Sequence, residues 1–93
     1  MKLTLIVPCF NEEAVLPQTT ARLTAVLNRL QNSQRISLGQ ILYVDDGSSD
    51  RTWALITQHA AQHPCVRGIK LAHNVGHQQA LWAGLEWAAA HSD

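Results

Sequence analysis

Three short segments of this 93-residue chain hold most of the side chains that could do chemistry. They are Pro8-Cys9-Phe10-Asn11-Glu12-Glu13, Asp45-Asp46-Gly47-Ser48-Ser49-Asp50 and Ala72-His73-Asn74-Val75-Gly76-His77. Each is rich in polar groups and follows an apolar run. Carboxylates such as Glu12, Asp45 and Asp46 can accept hydrogen bonds from the N–H of a heterocyclic base or from ribose hydroxyls. A diphosphate-binding loop of the dinucleotide type would need G-x-G-x-x-G in the first segment, so that backbone could approach the pyrophosphate at a helix N-terminus. Pro8, the bulky Phe10 and two carboxylates stand there instead, and they would obstruct and repel a diphosphate. A base or ribose suits that segment better. A plainer reading stays open for each segment. Asn11, Glu12 and Glu13 could simply start a helix, whose dipole favours negative charge. Asp45, Asp46 and the serines could form an Asx-turn and cap the next helix.

The elements that must position these segments alternate regularly. Leu3 to Val7 is a continuous strand-favouring run, and Pro8 is expected to stop its ladder pairing. From about Val15 to Leu30 the residues Val15, Thr19, Leu23, Val26, Leu27 and Leu30 form a helical stripe, with Pro17 in the first turn after a separate turn at residues 11–14. Asn32 to Gln40 reads as a loop and Ile41 to Val44 as a second buried strand. Ser49 is the expected N-cap of a helix from about Asp50 to His63, with Trp53, Ile56 and Ala60 facing inward. Val66 to Leu71 is the third strand. A third helix runs from about Gly76 to Ala90, with Ala80, Leu81, Gly84, Leu85 and Ala88 on one face. The order β-α-β-α-β-α with largely apolar strands predicts an α/β fold, a parallel sheet covered by helices on both faces. In such open sheets ligands bind outside the carboxyl ends of the strands, where all three polar segments fall.

Composition sets the outer bounds. The chain is 46% hydrophobic and 15% charged, and its seven Lys+Arg balance seven Asp+Glu. It therefore has no basic field for a nucleic-acid backbone. No apolar stretch reaches the roughly 20 residues that span a bilayer. The run after Met1 is too short for a signal peptide. Cys9 and Cys65 form no disulfide framework, so a reducing compartment is expected.

The segments VPCFNEE, VDDGSSDRT and HNVGHQQALWAG, in this order, resemble glycosyltransferase family 2, and within it the polyprenyl-phosphate sugar transferases. The resemblance covers nearly the whole chain. It implies a three-layer, Rossmann-like sheet forming the N-terminal half of a GT-A domain, with residues 1–93 as a nucleotide-sugar-binding subdomain truncated before its metal motif. Carried over by position, it implies that Pro8, Phe10, Asn11 and Glu12 line the nucleoside pocket and that Asp45 recognises the base edge. Asp46 would support the loop or contact the ribose, and Asn74, Gly76 and His77 would lie near the sugar-diphosphate. The family's Asp-x-Asp, which holds Mg²⁺ or Mn²⁺, has no counterpart in these residues, so no metal ligand and no catalytic residue is assigned. The implied partners are a UDP- or GDP-linked sugar and, for the parent protein, a lipid-phosphate or glycan acceptor. Nucleic acid is not among them. The edge left by truncation offers a surface for self-association. The expected location is the cytoplasm, with the parent at the cytoplasmic face of the membrane. The isolated chain is expected to bind donor at best, without turnover. The rival classes are a non-catalytic nucleotide-binding module, a receiver-type signalling domain and a nicotinamide-dependent dehydrogenase. The receiver's acid pair follows the first strand rather than the second, and the dehydrogenase needs the missing glycine loop.

Three further signals are set aside. His59, His63 and Cys65 have spacing that can bind zinc, but no fourth ligand is evident. Cys9 lacks an identifiable base to activate it as a nucleophile. Trp53, Trp82 and Trp87 have helical spacing that favours packing or an interface over stacking on a ligand, and Trp82 lies off the inward face.

Overall fold

The computed structural model describes residues 2–72 and 76–91. Strands β1 (Lys2–Cys9), β2 (Leu38–Asp45) and β3 (Val66–Lys70) alternate with helices α1 (Leu16–Asn32), α2 (Thr52–Gln62) and α3 (His77–His91). The strands form one parallel sheet in the order β1-β2-β3. This is the expected α/β, Rossmann-like architecture. Its central strand β2 is the most deeply buried, with Ile41, Leu42, Tyr43 and Val44 all fully inaccessible.

The period-two alternation of β2 sorts the core into two layers. Ile41 and Tyr43 pack with Leu16, Leu27, Ile56 and Val66 on the face covered by α1 and α2. Leu42 and Val44 pack with Ala80, and with the partly buried Ile6, Ile69 and Trp87, on the face covered by α3. The third helix thus crosses the opposite face, over β1 and β2. A change of face by successive helices marks the kind of switch point beside which open α/β sheets bind ligands.

Several local expectations are corrected. Pro8 does not end β1, because it pairs with Val44 and Cys9 pairs with Asp45. Within this sheet β1 is an edge strand, where a residue without an N–H can sit with that side turned away from the ladder. The strand β2 begins at Leu38, so the predicted loop is shorter. The buried residues of α1 are Leu16, Thr20 and Leu27, flanked by half-buried Leu23 and Leu30, whereas Val15 and Val26 are exposed. The predicted stripe was rotated by about one residue at its N-terminal end. The same happens on α3, where Leu81 and Leu85 are exposed while Ala80, Ala83, Gly84 and Trp87 face the sheet. A small residue is needed there, since a Cβ on Gly84 would lie 2.5 Å from Ile6 Cγ2. On α2, Ile56 is buried and Trp53 and Ala60 pack against it as predicted. Trp82 is 60% exposed. No helix among the described residues is long and apolar enough to cross a membrane.

Candidate functional site

Parallel pairing brings the carboxyl ends of β1 and β2 side by side, since Cys9 is the register partner of Asp45. The loops that leave these strands are tied together by hydrogen bonds between residues some 40 apart in sequence. Asn11 takes a left-handed conformation (φ 52°), which its short polar side chain tolerates. Its N–H donates to Ser48 Oγ at 2.9 Å, and its Oδ1 accepts the Ser49 N–H at 2.9 Å. The Glu12 N–H donates to Thr52 Oγ1 at 2.8 Å and the Glu13 N–H to Asp50 Oδ2 at 3.3 Å. The Glu12 carbonyl accepts the N–H groups of Val15 and Leu16 and so closes the turn that leads into α1.

The acidic residues of the second loop differ in their surroundings. Asp45 is wholly buried. Its Oδ1 accepts the Ser48 N–H at 3.1 Å, but its Oδ2, also buried, has no hydrogen-bond partner. Asp46 is 1% exposed and accepts the Gly76 N–H on Oδ2 at 3.0 Å, which links the second loop to the start of α3. Gly76, at φ 92°, occupies a conformation in which other residues are strained. Its carbonyl accepts the first helical N–H, from Ala80. Asp50 accepts both the N–H and the hydroxyl of Thr52 on Oδ1. Slight burial pushes its carboxyl upward, but these bonds and the one from Glu13 outweigh that and hold it below the usual carboxylate range.

Glu12 and Asp45 both bear on Cys9. Its thiol is pushed up to about 12, first by burial and then by the charges of Glu12 and Asp45. A thiol so protonated is a poor nucleophile at neutral pH. The residue is 2% exposed, with Sγ directed to the Val7 carbonyl. A cleft of about 100 Å³ lies between the end of β1 and the start of α1, lined by Val7, Pro8, Cys9, Glu12 and Val15 among others. That is below the ordinary volume of a closed small-molecule pocket, so a ligand here would be held at an open edge. A roomier groove of about 420 Å³ lies at the opposite, amino-terminal end of the sheet, bordered by Leu38, His63 and Arg67.

The sequence-predicted residues Pro8, Glu12, Asp45, Asp46 and Gly76 thus meet at one edge of the sheet. Phe10 is 38% exposed beside them. Asn11 is engaged in joining the two loops, so its Oδ1 is already committed within the protein. Asn74 and the side chain of His77 lie outside the described residues. The predicted cap of α2 is also corrected: Ser49 makes no cap and the helix begins at Thr52, whose N–H is held by Asp50. Sequence reasoning missed Thr52 and Asp50 as partners of the first loop. The Asp-x-Thr spacing in VDDGSSDRT suggests a local turn, but not what that turn would meet. His59, considered for zinc, instead places Nδ1 2.8 Å from Thr20 Oγ1, which in turn lies 2.6 Å from the Tyr43 hydroxyl. The described residues contain no group of three or more His, Cys, Asp or Glu arranged to hold a metal ion.

A parallel sheet with interleaved helices and an acidic, loop-stapled crevice at its carboxyl edge defines the class as a Rossmann-like α/β protein. The model of Glycosyl transferase family 2 matches residues 4–90, and the chain belongs to that family. It is 52% identical over 92 residues to the uncharacterized glycosyltransferase YkoT of Bacillus subtilis (strain 168), covering 98% of this chain and 27% of that protein. It is 33% identical over 89 residues to the bactoprenol glucosyl transferase of Shigella phage SfV, covering 96% of this chain and 27% of the relative. Against the undecaprenyl-phosphate 4-deoxy-4-formamido-L-arabinose transferase of Aeromonas hydrophila the identity is 34% over 84 residues, covering 89% of this chain and 24% of the relative. The chain therefore spans about a quarter of the length of these curated relatives.

Proposed function

We propose that these residues form the donor-binding part of a glycosyltransferase that moves a sugar from a UDP- or GDP-linked donor to a polyprenyl phosphate. The observation that carries the reading is the unpartnered Oδ2 of Asp45. A buried carboxylate oxygen without a donor is costly, and a ligand N–H would relieve that cost. Both uracil and guanine offer such an N–H. Glu12 stands near the same thiol as Asp45 and supplies a second acceptor, for ribose hydroxyls or the base. Pro8 and Phe10 would contribute apolar contact at the open edge. Asp46 acts through Gly76, setting the start of α3, and the family resemblance assigns Asn74 and His77 to the sugar-diphosphate.

The acceptor class is supported by relatives named for bactoprenol and undecaprenyl phosphate. A lipid phosphate oxygen is already nucleophilic, so the transfer would need little base catalysis. The donor's diphosphate leaves readily only when its developing charge is neutralised, the contribution a divalent cation makes when bound. The described residues do not provide its ligands, and we expect the 93-residue chain to bind donor without turning it over. The parent would work at the cytoplasmic face of a membrane, where nucleotide sugars and lipid phosphates meet.

The test is an amide-shift titration of the isotope-labelled chain with UDP, GDP and their sugar conjugates. Shifts clustered at Phe10–Glu13 and Asp45–Ser48, for one base over the other, are expected. Saturating nucleotide without shifts at these positions would overturn the assignment.

A further inference from the structure

We propose that Thr52, oriented by Asp50, is a positioning residue that sets the pose of Glu12 at the donor edge; this rests on the reading of that edge as the nucleoside site. Thr52 is wholly buried at the first turn of α2, yet its hydroxyl does not cap its own helix. The hydroxyl oxygen accepts the Glu12 N–H at 2.8 Å, and its proton goes to Asp50 Oδ1 at 2.5 Å. The Thr52 N–H holds the same oxygen at 2.9 Å, which fixes the carboxylate in place. Glu12 N–H, Thr52 O–H and Asp50 carboxylate thus form a chain of hydrogen bonds ending on a charge. Each bond polarises the next, and the charge-assisted link is the strongest.

The consequence falls on Glu12. It follows Asn11, whose left-handed turn gives the loop a sharp change of direction. Its carbonyl is held by the start of α1, and its N–H by a residue 40 positions further along the chain. With both ends of its backbone fixed, the Cα–Cβ bond of Glu12 has one direction, and this limits where its carboxylate can reach. Removing the Thr52 hydroxyl would leave the Glu12 N–H without its acceptor and let the loop relax, while the core beneath stays filled. Thr52→Val makes that change almost isosterically, and Thr52→Ser restores the hydroxyl.

The experiment measures two quantities on the parent chain, Thr52→Val, Thr52→Ser and Asp50→Ala. One is affinity for UDP and GDP by amide-shift titration. The other is hydrogen exchange at the Glu12 amide, with the core amides of Leu42 and Ile56 as internal references. For Thr52→Val we expect about tenfold weaker nucleotide binding and about tenfold faster Glu12 exchange, with the references unmoved. Thr52→Ser should lie within about threefold of the parent in both. Asp50→Ala removes a half-buried side chain outside the core, and it should show the same pattern even if the valine variant fails to fold. Parent-like Glu12 protection in both Thr52→Val and Asp50→Ala would overturn the relay. So would parent-like binding in Thr52→Val when Glu12→Ala binds at least tenfold more weakly. If the parent binds neither nucleotide, the donor-site reading fails by itself, and the Glu12 amide still decides whether the relay exists.

Discussion

Replacing Asp45 by Asn separates the cost of a binding group from its benefit. The side chain keeps its shape, and its remaining oxygen can still accept the Ser48 N–H that Asp45 Oδ1 accepts at 3.1 Å. What changes is Oδ2, fully buried and without a partner, which becomes an amide nitrogen. In the free chain, weakening the Ser48 bond to a neutral one costs on the order of 1 kcal/mol. Removing an unpaired buried charge returns about 1–3 kcal/mol. The new amide nitrogen is itself buried without an acceptor and offsets much of that gain, so the folding stability of Asp45→Asn should lie within about 1–2 kcal/mol of the parent. Binding should weaken. A hydrogen bond to a charged acceptor contributes about 1.5–3 kcal/mol, so its loss weakens nucleotide affinity about ten- to a hundredfold. The new N–H would also face the donor N–H of the base and deepen the loss. Urea denaturation measures the first quantity and amide-shift titration the second. A variant destabilised by more than about 2 kcal/mol with unchanged nucleotide affinity would refute the reasoning, because it would make Asp45 a structural residue whose acceptor lies within the protein.

Two further outcomes follow from the same geometry. Gly84→Val should lower stability by about 2–3 kcal/mol, because its Cβ alone would sit 2.5 Å from Ile6 Cγ2 and 3.1 Å from Val44 Cγ2; a thermal midpoint equal to the parent's would show that α3 can lift away at no cost. His59 lies below its ordinary value, chiefly through burial and secondarily through His63, so the unfolded chain binds the extra proton first and stability should rise with pH from the lowered value up to about 6.5. His59→Gln should flatten that part of the profile in denaturation series at pH 5 to 8, and an unchanged slope would assign the dependence to another group.

Much of this architecture is legible in the residues themselves. Alternating apolar runs and helical stretches point to a parallel sheet, because a central strand such as Ile41–Val44, without a polar face, must be covered on both sides. That ordering alone carries Glu12 and Asp45 to one edge, since every strand of such a sheet points the same way. The phase of the helices is less legible. Leu81 and Leu85 have the spacing of an inward face, but only the close approach of α3 to Ile6 and Val44 shows that the small residues Ala80 and Gly84 must face the sheet. Pro8 reads as a strand terminator, yet it remains in the ladder because β1 is an edge strand, a fact of strand order rather than of local propensity. The site divides in the same way. The sequence determines which loops carry carboxylates, because loop chemistry is local. Only the tertiary structure decides that Asn11 is taken up by Ser48 and Ser49, that Thr52 reaches Glu12, and that one oxygen of Asp45 is left without a donor. Those outcomes depend on groups about 40 residues apart that meet only when β1 and β2 pair in register, and a hydrogen bond acts over about 3 Å whatever the spacing along the chain.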